Sequence, residues 1–245
     1  MTTIAGNLQG LQKRLAAACA AAGRDVKSVT LLAVSKTFGP EAVVEAMAAG
    51  QRAFGENYIQ EGVEKVLALR ALHPGVALEW HCIGPVQSNK TRLVATHFDW
   101  VHSVDRLKIA QRLAEQRPPG LAPLQVCLQV NVDGGANKSG VTADELPDLA
   151  REVAALSGLR LRGLMCIPEP SEDMVIQRAG FRRVRELHER LNAHGLALDT
   201  LSMGMSDDLE AAVAEGATLV RVGRAIFGHR PRKDPLISSP VPGSV

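Results

Sequence analysis

Short apolar segments alternate with longer amphipathic segments along almost the whole chain. Many apolar segments carry hydrophobic residues at consecutive positions, as parallel strands do when helices cover both faces of their sheet. Eight strands are predicted, at 29–35, 51–54, 78–83, 99–102, 124–131, 159–165, 198–202 and 218–222. Helical patterns follow most of them, at 40–49, 57–70, 87–96, 105–116, 143–156, 173–193 and 207–215. This repeat over 245 residues favours an α/β fold, a single-domain (β/α)8 TIM barrel.

An open doubly wound sheet is the competing architecture. A sheet of the dinucleotide-binding type would carry G-x-G-x-x-G after an early strand, and the sequence has no such segment there. We assign the barrel to residues 1–228, including an N-terminal helix at 4–22, and a loose tail rich in Pro and Ser to residues 229–245. The hydrophobic face of the first segment favours a packed helix over a secretory signal peptide.

Composition excludes several classes of protein. The formal net charge is +2 and the chain has one tyrosine, so neither an electrostatic nor an aromatic surface for nucleic acid is expected. No stretch reaches the roughly 20 apolar residues of a membrane span. The four cysteines form no C-x-x-C pair, and three of them lie in apolar strand-like segments. Buried free thiols fit a reducing compartment, so a cytoplasmic location is expected.

Lys36 stands at the end of the first predicted strand, and Gly39-Pro40 closes that segment. A lysine at the end of a core strand commonly forms an ion pair, contacts a phosphate or bonds covalently to a carbonyl carbon. A free amine with a pKa of about 10.4 is mostly protonated at neutral pH. Desolvation or a neighbouring cation lowers that pKa and allows Schiff-base chemistry. Arg221 on the eighth strand, next to the first in a closed barrel, is such a cation.

The loops after the last two strands have the features of a phosphate site. Ser206 is predicted as a helix N-cap after strand 7, and Gly223 and Arg224 follow strand 8 with a helical turn. Barrels of this type bind phosphate between these loops and a helix N-terminus. A hydroxyl at Ser206 with the amides of Gly223 and Arg224 would suit a phosphate monoester.

Ordered motifs from about residue 4 to Gly228 resemble the pyridoxal 5′-phosphate (PLP) homeostasis proteins, a single-barrel family related to the N-terminal domain of alanine racemase. The motifs are AVSKT at 33–37, FGENYIQE at 54–61, H-x-IG at 81–84 with Q-x-NK at 87–90, VN at 130–131 with KSG at 138–140, GLM-x-IP at 163–168, LSMGMS-x-D at 201–208, and VRVG at 220–223 with IFG at 226–228.

The resemblance implies that Lys36 carries PLP as a Schiff base. It also implies that Ser206, Gly223 and Arg224 hold the phosphate, that Arg221 faces the pyridine nitrogen and that Asn57 borders the cofactor. Further candidates for the site are Tyr58, His81, Lys138 and Met203. The implied function is intracellular PLP homeostasis, meaning buffering or delivery of the cofactor to PLP-dependent apoenzymes, by a monomer without substrate turnover.

Several positions depart from the family pattern. Phe38 stands where relatives often have lysine, Gly135 where an acidic residue is common, and Arg224 where a small residue is usual. Cys82, Pro85 and Val86 also replace more usual residues. Because Phe38 is not a lysine, exchange of the cofactor through a lysine at position 38 is not expected.

Two enzymatic functions compete with simple binding. A PLP-dependent amino-acid racemase would need a second acid or base on the opposite face of its substrate, and Tyr58 is the only tyrosine. In alanine racemase this group is a tyrosine from a second domain, which the sequence is not expected to supply. A sugar-phosphate barrel enzyme would need a carboxylate base at a strand end, for which Asp133 and Glu56 are the candidates.

Overall fold

The computed structural model describes residues 3–135 and 139–228, and its strands form a closed barrel. Each strand pairs in parallel with its neighbours in sequence, and β8 closes on β1. The strands are β1 (Thr30–Val34), β2 (Ala53–Glu56), β3 (Glu79–Cys82), β4 (Trp100–Val104), β5 (Leu124–Gln129), β6 (Leu159–Met165), β7 (Thr200–Ser202) and β8 (Leu219–Val222). The predicted TIM barrel is confirmed.

Helices occupy the connections between the strands and form the outer layer. The helices are α1 (Ile4–Ala21), α2 (Pro40–Ala48), α3 (Ile59–Leu72), α4 (Thr91–His97), α5 (Leu107–Gln116), α6 (Leu146–Ala154), α7 (Met174–Ala193), α8 (Leu209–Ala214) and α9 (Arg224–Phe227). In the described part of the chain, none of these helices is long and apolar enough to cross a membrane. The predicted tail at 229–245 lies outside the described residues.

Two strands end later than the sequence pattern predicts. The pattern places strand 2 at 51–54, but β2 runs to Glu56, whose carboxylate is completely buried. It places strand 4 at 99–102, but β4 runs to Val104 and all five of its residues are buried. Buried polar residues interrupt the apolar pattern at both ends. Glu56 Oε1 accepts a hydrogen bond from Lys65, and the Ser103 hydroxyl donates one to the Gly84 carbonyl.

The barrel has two separate apolar regions. The larger lies between strands and helices, and its fully buried side chains include Phe54, Trp80 and Phe98. The lumen holds two small clusters, one with Leu32, Val34, Ala53, Ile83 and Leu219 and the other with Trp100, Cys127 and Met165. Polar side chains fill the rest of the lumen, and His81, His102, Ser202 and Arg221 are all buried. A lumen this polar is unusual, because barrel interiors are mostly packed with branched apolar residues.

Candidate functional site

Lys36 lies in the turn directly after β1, at the C-terminal mouth of the barrel. Val34 of this strand belongs to the lumen cluster, and side chains alternate along a strand, so the lumen side is the expected direction for Lys36 two residues later. β1 pairs with β8, and Leu32 is in register with Arg221. The amine predicted to bind the cofactor is thus at the mouth and next to the strand predicted to carry its cation. Lys36 is half-buried.

A buried ion pair holds the residue before Lys36. Lys65 of α3 lies 2.5 Å from Glu56 Oε1, and both side chains are at most 3% exposed. Lys65 Nζ donates to the Ser35 carbonyl at 2.9 Å, and Ser35 Oγ donates to Glu56 Oε1 at 2.6 Å. Burial raises the pKa of Glu56, and the positive charge of Lys65 partly offsets this effect. The pair therefore fixes both the peptide and the side chain of Ser35.

The residue after Lys36 has a strained backbone. Thr37 has φ 70°, and in the described ranges 3–135 and 139–228 it is the one residue other than glycine with a positive φ. A β-branched residue rarely adopts this conformation. The Thr37 amide donates to Glu61 Oε1 at 2.6 Å, and Glu61 also lies 3.5 Å from Lys65. Glu56, Glu61 and Lys65 thus fix the chain on both sides of Lys36.

Arg221 projects into the lumen from β8 and is 5% exposed. Its Nη1 donates to the carbonyl and hydroxyl oxygens of Ser202 at 2.6 and 2.9 Å, and its Nη2 donates to the Cys166 carbonyl at 2.9 Å. Burial lowers the pKa of this guanidinium from its ordinary value, although arginine stays charged at neutral pH. The side chain therefore presents a fixed, dehydrated positive charge within the barrel.

The loop after β7 is held by a side chain from α1. Arg14 donates to the Ser206 carbonyl at 2.7 Å and forms two bonds of 2.6 Å with the Glu210 carboxylate. The prediction of Ser206 as the helix N-cap is wrong, because α8 begins at Leu209 with Asp208 as its N-cap. The Asp208 carboxylate instead accepts from the Met205 amide, so its charge stabilises the loop that leads into the helix.

The loop after β8 lies directly against β1. Gly223 precedes α9, and a Cβ atom at this position would lie 3.1 Å from the Val34 carbonyl oxygen. The missing side chain lets the two loops approach closely. The ring of Phe38 packs 5.2 Å from that of Phe227 in α9. The loops carrying Lys36 and Gly223 are therefore joined at the mouth by an aromatic contact.

Asn57 and Tyr58 follow β2 at the same mouth. A Cβ at Gly84 would lie 2.1 Å from the Asn57 carbonyl oxygen, so glycine is required there for the two loops to meet. The Asn57 side-chain oxygen is buried and has no hydrogen-bond partner in the described part of the chain. Tyr58 is 52% exposed and precedes α3. Asn57 thus offers an unsatisfied acceptor at the mouth, whereas Tyr58 points largely to solvent.

Other residues singled out from the sequence lie elsewhere. His81 is not at the rim but fully buried in the lumen, bonded to Glu79 and His102. Met203 is buried in the core between strands and helices. Asp133 accepts a hydrogen bond from the Glu169 amide. Lys138 lies outside the described residues.

The carboxylate of Glu56, a candidate base for a sugar-phosphate enzyme, is committed to Lys65 of α3 and so lies outside the lumen. The four cysteines are all buried and free.

Sequence reasoning did not identify several residues that support the site through hydrogen bonds. Arg14, Glu61 and Lys65 come from helices, and His102 comes from the middle of a strand. The spacing of Glu61 and Lys65, four residues apart in a helix, is a recognisable ion-pair signal. That spacing is typical of solvated helix surfaces, so it does not reveal that Lys65 is buried against β2.

Comparison with known proteins agrees with this arrangement. The model of the family described as the alanine racemase N-terminal domain matches residues 7–231. A pyridoxal phosphate homeostasis protein of Pseudomonas aeruginosa is 61% identical over 230 residues, which cover 94% of this chain and 97% of that protein. A protein of the same name from Escherichia coli is 52% identical over 231 residues, covering 94% and 98% of the two chains.

Among solved structures, PipY of Synechococcus elongatus with PLP bound superposes with a TM-score of 0.81 at 38% sequence identity. The similarity covers 92% of this chain and 100% of PipY. Family match, identity and fold agree over nearly the whole length. The chain therefore belongs to the alanine racemase N-terminal domain family and, within it, to the pyridoxal phosphate homeostasis proteins.

Proposed function

We propose that this protein binds PLP and takes part in its homeostasis, with Lys36 as the residue that bonds covalently to the cofactor. The observation that carries the proposal is the position of Lys36. It lies at the C-terminal mouth of the barrel, on a turn whose two flanking residues are fixed by Glu56, Glu61 and Lys65. The family membership and the PLP-bound structure of PipY support the same function.

The polar atoms around Lys36 fit a ligand of this kind. The hydroxyl of Thr37 and the side-chain oxygen of Asn57 are buried, and neither has a partner in the described part of the chain. Buried polar atoms are normally satisfied, so such atoms at a mouth suit contact with a polar ligand. The side chain of Arg221 adds a positive charge. The absence of a side chain at Gly223 lets a ligand approach the backbone closely.

PLP supplies an aldehyde that forms a carbon–nitrogen double bond with an amine, together with a phosphate group and a pyridine ring. Lys36 Nζ would bond to the aldehyde carbon, and the aldehyde oxygen would leave as water. Ser206 and the amides of Gly223 and Arg224 would hold the phosphate. Arg221 would donate a hydrogen bond to the pyridine nitrogen, and Asn57 would border the ring.

We further propose that the protein does not turn over a substrate. A guanidinium can only donate hydrogen bonds, so Arg221 would keep the pyridine nitrogen unprotonated and would weaken the ring as an electron sink. Racemisation tolerates this but needs a second acid or base opposite the lysine. Tyr58 is the only tyrosine of the chain, and its 52% exposure leaves it largely outside the mouth.

The test is reconstitution of purified protein with PLP, followed by borohydride reduction and peptide mapping. We expect a yellow protein, and a reduced adduct on the peptide that contains Lys36. Lys36→Ala should lose both the colour and the adduct. Lys108→Ala, at an exposed lysine of α5, is the matched control and should keep them. An adduct on another lysine, or a colourless reconstituted wild type, would refute the proposal.

Turnover is tested separately with L-alanine and the reconstituted protein. We expect conversion to D-alanine no faster than with free PLP at the same concentration. Faster conversion would make the protein a racemase and reject the binding function.

Transfer to partners is tested by mixing the loaded protein with PLP-dependent apoenzymes and following their activation. We propose such apoenzymes as recipients, a monomeric state and a cytoplasmic location, the last supported by four buried free thiols.

A further inference from the structure

A continuous line of hydrogen bonds crosses the barrel lumen from the N-terminal mouth to Arg221. Glu79 Oε1 lies 2.8 Å from His81 Nε2, and His81 Nδ1 lies 2.8 Å from His102 Nε2. His102 Nδ1 lies 2.7 Å from Ser202 Oγ, which accepts from Arg221 Nη1 at 2.9 Å. The line draws on four strands, β3, β4, β7 and β8, so the closed barrel is needed to assemble it.

The chemistry of the two end groups fixes the ends of this line. A guanidinium has only donors, so Ser202 Oγ accepts at one end, and an ionised carboxylate only accepts, so His81 Nε2–H donates to Glu79 at the other. Between them, a proton on His102 Nε2 would be donated to His81 Nδ1, and the Ser202 hydroxyl would donate to His102 Nδ1. In that arrangement all donors point from the buried cation to the anion.

The charges around the line support this direction. The hydrogen bond from His81 lowers the pKa of Glu79, so this carboxyl remains an anionic acceptor. Burial lowers the pKa of His102 well below its ordinary value, with further effects of His81 and Arg221, so this ring remains neutral. Burial raises the pKa of the Cys127 and Cys166 thiols to about 12, so both stay uncharged.

The far end of the line opens at the N-terminal mouth, opposite Lys36. Glu79 and His81 line a cavity of about 260 Å³ there. Arg162 and Asp199, paired at 2.7 Å, lie at the same cavity. The ring of Trp100 stacks on His81 at 5.3 Å. The terminal carboxylate is thus reached by water on the face away from Lys36.

We propose that Glu79, His81, His102 and Ser202 are positioning residues for Arg221, forming a one-way hydrogen-bond column that holds the guanidinium in place toward the ligand. Three of its five N–H donors are committed to Ser202 and Cys166, and the other two are left to address a ligand. Protonation of His102 at Nδ1 would direct a second donor at Ser202 Oγ. The column therefore couples the protonation of the lumen to the position of Arg221. This inference rests on the proposed function.

The first test needs no ligand. Nitrogen-15 spectra of the apo protein report the tautomer and charge of each imidazole. We expect His102 to be neutral and to carry its proton on Nε2 at pH 7. A proton on His102 Nδ1, or a doubly protonated His102, would overturn the proposal. Because this readout is independent of PLP, it distinguishes failure of the column from failure of the proposed function.

The second test uses wild type that has first been shown to bind PLP. Ser202→Ala removes the hydroxyl that links His102 to Arg221. It should weaken PLP binding about 10-fold, as loss of a hydrogen bond to a charged group does. Glu79→Gln and Ser202→Ala should both shift the pH midpoint of the visible absorption band of the bound cofactor, which a purely structural role would not move. Ser103→Ala is the control. It removes a buried hydroxyl of β4 that donates to the Gly84 carbonyl and lies outside the column, so it should leave the midpoint unchanged. Midpoints unchanged in both column variants would refute the coupling.

Discussion

The ammonium group of Lys65 donates a 2.9 Å hydrogen bond to the carbonyl oxygen of Ser35, the residue directly before Lys36. A lysine of α3 that is 3% exposed thus controls the peptide next to the amine proposed to bind PLP. Its charge is compensated by Glu56, which is completely buried. The position of Lys36 therefore depends on an ion pair behind the barrel wall, outside the lumen.

Replacing Lys65 with methionine should lower the free energy of unfolding by about 3–5 kcal/mol, because it leaves the Glu56 carboxylate buried without its cation. Urea denaturation measures the loss. The double variant Lys65→Met with Glu56→Gln should recover most of it, because no uncompensated charge remains. Lys108→Met, at an exposed position, should change stability by less than about 0.5 kcal/mol. A small effect of Lys65→Met would show that the pair is not buried in solution.

Replacing Glu61 with glutamine should weaken PLP binding about 3- to 10-fold, with a smaller effect on stability. The substitution turns the charge-assisted bond from the Thr37 amide, 2.6 Å long, into a weaker neutral one. The strained turn then holds Lys36 less firmly. Absorbance titration gives the affinity and urea denaturation the stability. Glu64→Gln, an exposed substitution in the same helix, is the control that should leave both unchanged. Equal affinities of the two variants would contradict this role of Glu61.

Acidification should destabilise the barrel through Glu215, which is 1% exposed and pairs with Arg178, Arg182 and Arg185. Burial alone would raise its pKa, but the hydrogen bonds from Arg182 and Arg178 lower it below its ordinary value. A carboxyl whose pKa is lower in the folded protein stabilises it above the unfolded pKa of about 4.3. That stabilisation is lost as the pH falls through the lower folded value.

The measurement is the urea midpoint of wild type and Glu215→Gln from pH 7 to 3. At pH 7 the variant should be about 1–2 kcal/mol less stable, a modest loss because the arginines are partly exposed and their charges screened. The difference should shrink as the pH falls below about 5. A difference independent of pH would mean that the carboxylate charge does not contribute.

The strand pattern was readable from the sequence because covered parallel strands are almost continuously apolar. The same logic places the ends of β2 and β4 too early, because Glu56 and Ser103 are polar but buried. Their partners are not sequence neighbours: Lys65 comes nine residues after Glu56, and Gly84 lies 19 residues before Ser103. No local sequence pattern predicts such pairs. Strand ends and the family resemblance mark the residues proposed for the mouth, whereas Arg14 lies in a helix with no motif.

The left-handed backbone of Thr37 places a strained residue in the turn at the mouth. A conformation of this kind costs about 1–3 kcal/mol, and here the bond to Glu61 offsets that cost. We expect the turn to open locally, well before the whole barrel unfolds. The rate of deuterium uptake at the Thr37 amide then measures how often this turn opens. Occupancy by a ligand should slow that uptake while the amides at the centre of β5 remain unaffected.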